Sequence, residues 1–312
     1  MAILVTGIAG FIGFHLAKKL EESEETVVGI DNFNDYYDVS LKRDRVEQLK
    51  SKVYEGSIED EKLLDKIIKE NSISEIYHMA AQAGVRYSLE NPRSYELSNN
   101  LGTINIFELA KNNNINKIIY ASSSSVYGGN KKIPFSIKDN VSNPVSVYAA
   151  TKIYNELLAK TYFNLYGLKS IGLRFFTVYG SWGRPDMSYF KFMNLYRNGE
   201  SIDVYNGGDH ERDFTHISDV VDGIIKAMKS DISTGIYNLG NNNTVKLMDF
   251  ISELEKIFEI NFEKKYIDMQ PGDVHKTNAD ISETIRDLEW LPKTNIGEGL
   301  KEFADWYKEY YK

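Results

Sequence analysis

Tyr148 and Lys152 stand four residues apart in Tyr148-Ala149-Ala150-Thr151-Lys152, within an apolar-periodic run that extends to about Tyr166. On a helix this spacing puts both side chains on one face. A free phenol ionises near pH 10, roughly, and a neighbouring ammonium favours the phenolate, so a tyrosine in this setting becomes a general base usable near neutrality. Lys152 can also hydrogen-bond a ribose. An isolated Tyr-x-x-x-Lys more often packs and is solvated, so the pair means something only in context. The first piece of context lies at the N-terminus, where Gly7-Ile8-Ala9-Gly10-Phe11-Ile12-Gly13 follows a β-rich run and opens a helical stripe. Glycines at such a junction permit a tight turn and let the backbone at Gly7, Gly10, Phe11, Ile12 and Gly13 approach a pyrophosphate at the helix N-terminus. Asp31 ends the next strand and can accept hydrogen bonds from an adenosine ribose, while its charge repels a 2′-phosphate. NAD is therefore favoured over NADP, with Asn32 beside Asp31 as a further cofactor contact.

The elements that must position these groups follow in order. Strands are expected at 2–6, 26–31, 52–56, 75–81, 117–121 and 170–176, with helices between them at about 41–50, 60–70, 92–111 and 148–166. Alternation at this spacing argues an α/β fold with a doubly wound parallel sheet and its ligand at the carboxyl ends of the strands. The glycine loop, Asp31, the small residue Ala80, the run Ser122-Ser123-Ser124-Ser125 and Tyr148 would all meet at that edge. His78 could be a base, but beside a strand a hydrogen-bonded structural role is the better expectation. After 176 the texture changes to Gly, Pro and aromatic residues. The reading is a Rossmann domain over 1–176 and a smaller, mainly substrate-binding domain over 177–312, part of which returns to the Rossmann sheet.

Composition narrows the function. With 45 acidic and 37 basic residues the 312-residue chain has a formal charge of -8 and no basic block, so nucleic acid is not an expected partner. The absence of cysteine removes disulfides, thiolate catalysis and Cys-ligated metal. His210, His216 and His275 are separated and lack a carboxylate cluster at ligand spacing, so no metal site is expected. No apolar run approaches the length of about 18 residues that a membrane span requires, and no signal peptide is read. A cytoplasmic location is the expectation.

Taken together, the glycine loop, Asp31, Tyr77-His78-Met79-Ala80-Ala81, Asn100, the serine run and Tyr148-x-x-x-Lys152 resemble an extended short-chain dehydrogenase/reductase nearly end to end. Within that group the chain is most similar to the nucleotide-sugar 4-epimerases, and more narrowly to the UDP-glucuronate 4-epimerases. The stretches that carry this are Ala81-Gln82-Ala83-Gly84-Val85-Arg86-Tyr87-Ser88, Arg174-Phe175-Phe176-Thr177-Val178-Tyr179-Gly180, Trp182-Gly183-Arg184-Pro185-Asp186-Met187 and Met269-Gln270-Pro271-Gly272-Asp273-Val274. The resemblance implies a tightly held NAD regenerated in each cycle, Ser123 on the sugar 4-oxygen beside Tyr148, and Asn100 among the cofactor contacts. It further implies Thr177, Arg184 and, more weakly, Arg86 on the substrate carboxylate, with Arg212 on the diphosphate and Asp273 on the uridine ribose. A homodimer with UDP-glucuronate or UDP-galacturonate as substrate is implied as well. Related 4,6-dehydratases carry an Asp-Glu pair, and decarboxylases a Glu, where this chain has Ser124 and Ser125. A hydroxyl cannot replace a carboxylate as acid or base near neutral pH, so these serines become candidate sugar contacts and argue against both chemistries. The chain departs from many relatives at Ser57 before Ile58, where an Asp commonly binds the adenine amine, and at Gln270, where galactose epimerases carry Arg. A 4-epimerase of another UDP-sugar, a decarboxylase with an altered acid and a silent dinucleotide-binding regulator remain alternatives at this point.

Overall fold

The computed structural model describes residues 2–268 and 274–312. The strands are β1 (Ala2–Thr6), β2 (Val27–Asp31), β3 (Lys52–Glu55), β4 (Ile73–His78), β5 (Lys117–Ser123), β6 (Ser170–Phe175), β7 (Thr177–Tyr179), β8 (Ile202–Tyr205), β9 (Glu211–His216), β10 (Thr234–Leu239), β11 (Thr244–Lys246) and β12 (Lys264–Ile267). Seven of them form one sheet in the order β10-β6-β5-β4-β1-β2-β3, paired in parallel throughout. Every residue of β1 and β6 is buried, as expected of strands covered on both faces. Strand order reverses between β1 and β4, and the crevice outside their carboxyl ends is where such sheets bind ligands.

Helices Phe11–Glu22 and Ile217–Lys229 pack together on one face of the sheet through Leu16, Leu20, Val221 and Ile224. On the other face Ile67, Phe107 and Tyr162 bring in helices Glu61–Glu70, Gly102–Asn112 and Val147–Tyr166. The chain beyond Phe176 contributes β10 and helices Ile217–Lys229 and Ser282–Leu288 to this layered body, and most of the remainder forms a second lobe. That lobe holds a three-stranded sheet, β11-β9-β7, and a parallel pair, β12-β8. Its core is strongly aromatic, with Phe214 stacked on Phe250 at 4.4 Å and Phe190 packed edge to face on Tyr307 and tilted against Phe303.

The expected helix at 92–111 is interrupted. It runs as a short α-turn, Pro92–Tyr95, then a wide π segment, Glu96–Leu101, and resumes at Gly102–Asn112. The extra residue in the π turn carries Asn99 inward, where its amide donates to Gln82 O at 3.1 Å and Thr151 Oγ1 at 3.0 Å. The strand expected at 75–81 starts and stops earlier, freeing Met79, Ala80 and Ala81 from the ladder. The helix expected at 41–50 is Val39–Glu47, capped by Asp38, which accepts from Ser40 N at 2.9 Å.

Candidate active site

At the crevice the backbone leaves no room for side chains. Gly7 has φ +70, and a Cβ there would stand 2.8 Å from Ala80 Cα; one on Gly13 would stand 2.1 Å from Gly7 O. The Asp31 carboxylate accepts from Ala9 N at 3.1 Å and Phe33 N at 2.9 Å, which ties the glycine loop to the end of β2. Burial raises its pKa, while these N–H groups and Lys42 oppose the rise. Carboxylate lone pairs remain for a ribose. This cradle fits a dinucleotide.

The crevice opens into a cavity of about 940 Å³ between the lobes. The whole glycine loop set (Gly7, Gly10, Phe11, Ile12, Gly13) lines it, as do Asp31, Asn32, Ile58 and Ala80. Two expected members do not reach it. The Ser57 hydroxyl accepts from Glu59 N at 3.3 Å, and the Asn100 amide nitrogen, within the π turn, donates to Glu96 at 2.9 Å, while its Oδ1 is buried with no partner among the described residues. Ser98, in the same turn, lines the cavity in their place.

Tyr148 and Lys152 lie in the first turns of helix Val147–Tyr166, which starts where Ser146 accepts from Ala149 N at 3.1 Å. The Lys152 ammonium is 5.9 Å from the centre of the Tyr148 ring and donates to Ala121 O at 2.9 Å. Burial lowers its pKa to about 8, against the opposing charge of Glu156. Burial also raises the Tyr148 phenol, and the groups that pull it back are Ser123, by hydrogen bonding, and Arg184, by charge. The expectation of a phenol lowered by the lysine is therefore replaced: the protein alone holds it up, since the ammonium is aimed at a backbone carbonyl. Beneath the pair lies a buried network in which Glu156 accepts from Ser122 Oγ at 2.6 Å and pairs with Arg174 at 2.9 and 2.8 Å. His78, also buried, joins Thr6 at 2.8 Å and Thr103 at 3.0 Å, which is a structural role.

Ser123, Ser124 and Ser125 line the cavity at the end of β5, with Ser123 Oγ donating to Ser125 Oγ at 3.1 Å. Thr177 and Arg184 line the same cavity from the second lobe. Arg184 is not a free fork: its Nε and Nη2 donate to Asp186 at 2.9 and 2.6 Å, and Tyr36 donates to the same carboxylate at 3.1 Å. The side-on edge of the guanidinium is occupied, which leaves its end-on edge for an anion. Further along, Arg86 lies over the Tyr205 ring at 4.9 Å, and Arg212 Nη1 donates to Glu211 O at 3.0 Å and His275 O at 3.1 Å. Both line the cavity. Asp273 and Gln270 lie outside the described residues. Among the described residues no group of His, Asp and Glu could hold a metal ion. Tyr36, Lys42 and Asp186 escaped the sequence reading, although the tyrosines of the 31–40 loop and the Gly-Arg-Pro-Asp motif were visible signals.

Comparison with known proteins accords with this geometry. The chain belongs to the NAD dependent epimerase/dehydratase family, whose model matches residues 3–240. It is 44% identical to UDP-glucuronate 4-epimerase 2 of Arabidopsis thaliana over 100% of this chain and 77% of that one. The fold is similar to UDP-glucuronic acid 4-epimerase from Bacillus cereus, solved with UDP-glucuronic acid and NAD, at TM-score 0.93 and 32% identity over 100% of both chains. It is also similar to UDP-glucose 4-epimerase from Thermotoga maritima, solved with UDP-glucose, at TM-score 0.92 and 29% identity over 100% of both.

Proposed function

We propose that this protein is an NAD-dependent 4-epimerase of UDP-hexuronic acids, interconverting UDP-glucuronate and UDP-galacturonate. One observation carries the reading: Arg184, its side-on edge held by Asp186, lines the same cavity as Tyr148, where Ser124 and Ser125 stand in place of carboxylates. Arg184 thus offers a cation to a sugar carboxylate, and the positions at which related dehydratases and decarboxylases carry acids hold hydroxyls in Ser124 and Ser125. The glycine loop of Gly7, Gly10 and Gly13 with Asp31 would hold NAD, which would supply a reversible hydride acceptor for the sugar C4, so net redox is zero and no second reductant is needed. Tyr148 removes the proton from the C4 hydroxyl and later returns it, Ser123 hydrogen-bonds the 4-oxygen, and Lys152 orients the nicotinamide ribose. A 4-ketone is β to the C6 carboxylate, and such acids lose carbon dioxide readily. Arg184 and Thr177 hold that carboxylate, and hydroxyls in place of acids at Ser124 and Ser125 protect it. Arg212 serves the diphosphate, and Arg86 is a second, weaker candidate for the carboxylate.

In this reading the layered body of 1–176 holds NAD and the lobe of 177–312 holds most of the nucleotide sugar. A homodimer is supported by Leu97, Leu101 and Leu157, which are 48%, 43% and 61% exposed on neighbouring helices. No helix among the described residues is long and apolar enough to cross a membrane. The test is to incubate the purified protein with UDP-glucuronate, without added NAD, and follow the products by proton NMR. UDP-galacturonate is expected. Formation of UDP-pentose, or turnover of UDP-glucose in preference to the uronate, would overturn the assignment.

A further inference from the structure

Arg45 is 0% exposed, and none of its hydrogen bonds among the described residues goes to a carboxylate, although its charge is felt by the buried Asp31. It projects from helix Val39–Glu47, one element beyond the strand that ends at Asp31, and uses all five of its N–H donors on neutral oxygens. Nη1 donates to Ala9 O at 2.9 Å, inside the glycine loop, and to the Tyr37 hydroxyl at 2.7 Å. Nε and Nη2 donate to Trp182 O at 3.1 and 2.7 Å, and Nη2 also donates to Gly183 O at 2.8 Å. The next residue in the chain is Arg184. Trp182 has φ +56, a left-handed backbone that bulky residues rarely adopt, and its ring is wedged among Phe14, Trp306 and Tyr310. Gly183 is equally constrained, since a Cβ there would stand 1.9 Å from Tyr189 Oη. A disfavoured turn of this kind persists only where its surroundings over-determine it. The planar guanidinium does so by gripping two successive carbonyls, which a lysine, a single donor point on a flexible stem, cannot reproduce.

We infer that Arg45 is a positioning residue for substrate selection: it locks the Trp182-Gly183 turn against the cofactor loop and thereby aims the end-on edge of Arg184 at an anionic sugar. The inference rests on the uronate reading and adds the residue that sets it. The site for the sugar's acid group is thus framed by the NAD-binding body as well as by the second lobe.

The test uses holoenzyme in a Tyr148→Phe background, so that neither ligand is consumed, and reads the dissociation constants of UDP-glucuronate and UDP-glucose. Arg184→Met should lower the uronate preference by about tenfold, in line with loss of a charged contact. Arg45→Lys should lower the same ratio by about as much while leaving UDP-glucose affinity within about twofold, and should add nothing further in the Arg184→Met background. Tyr37→Phe removes only the hydroxyl acceptor; it should cause a smaller loss, about threefold, again absent without Arg184, and it carries the test if Arg45→Lys does not fold. Equal weakening of both sugars by Arg45→Lys, or a loss that adds to that of Arg184→Met, would overturn the inference and leave the uronate reading intact. If Arg184→Met itself leaves the ratio unchanged, the carboxylate anchor fails and the positioning role falls with it.

Discussion

Tyr148 faces two opposing influences. Burial holds its proton on, and Ser123 and Arg184 pull the other way. Tyr148→Phe keeps the ring and removes the base, so turnover of UDP-glucuronate should fall by roughly 10²–10⁴ or more while titration still shows the nucleotide sugar binding. Lys152 sets the alkaline limit. With its pKa near 8 it loses its charge as pH rises through that value, and kcat/KM should decline above about pH 8. The stability effect has the opposite sign. Because the folded pKa lies below the unfolded one, the unfolded chain binds more protons between about pH 8 and the ordinary lysine value, so this group's contribution to stability rises with pH in that window. Alkaline loss of activity should therefore occur with the fold intact, which pH–rate profiles measured beside near-ultraviolet circular dichroism will check.

At the scale of elements, the ends of the strands and the start of one helix hold the chemistry in place. Glu156 joins β5, β6 and helix Val147–Tyr166 through Ser122, Arg174 and its field on Lys152. Glu156→Gln strands a buried guanidinium, so it should cost about 3–5 kcal/mol in denaturant unfolding. It should also move the alkaline limb of the pH–rate profile to lower pH, since the charge that supports protonated Lys152 is gone. Much of this level was legible in the chain. Helix Val147–Tyr166 begins at a serine cap and ends at Gly167 with φ +68, both local signals. The π turn was not, because what holds it is the reach of Asn99 to Gln82 and of Asn155 to Asn99 O, contacts between distant elements. Asp186 and Tyr36 are 150 positions apart in sequence, so nothing local tells that they share a hydrogen bond.

Across the whole molecule, the cavity lies between two lobes with separate cores, and the exposed leucines lie away from it on helices of the layered body. If those helices pair across a two-fold axis, Leu157→Glu should convert a dimer to a monomer in sedimentation velocity with NAD still retained. The sheet itself carries a consequence for biosynthesis. β6 is buried along its full length, and its outer edge is covered by β10, which lies roughly sixty residues further along the chain. At synthesis rates of about 5–20 residues per second, that edge waits several seconds on the ribosome for its partner. During this interval an apolar strand with unpaired backbone groups is open to its neighbours. The fragment 1–176 should therefore aggregate more readily than the full chain under the same conditions, and a nascent chain stalled just beyond β6 should be a ready client for chaperones until the segment that closes the sheet emerges.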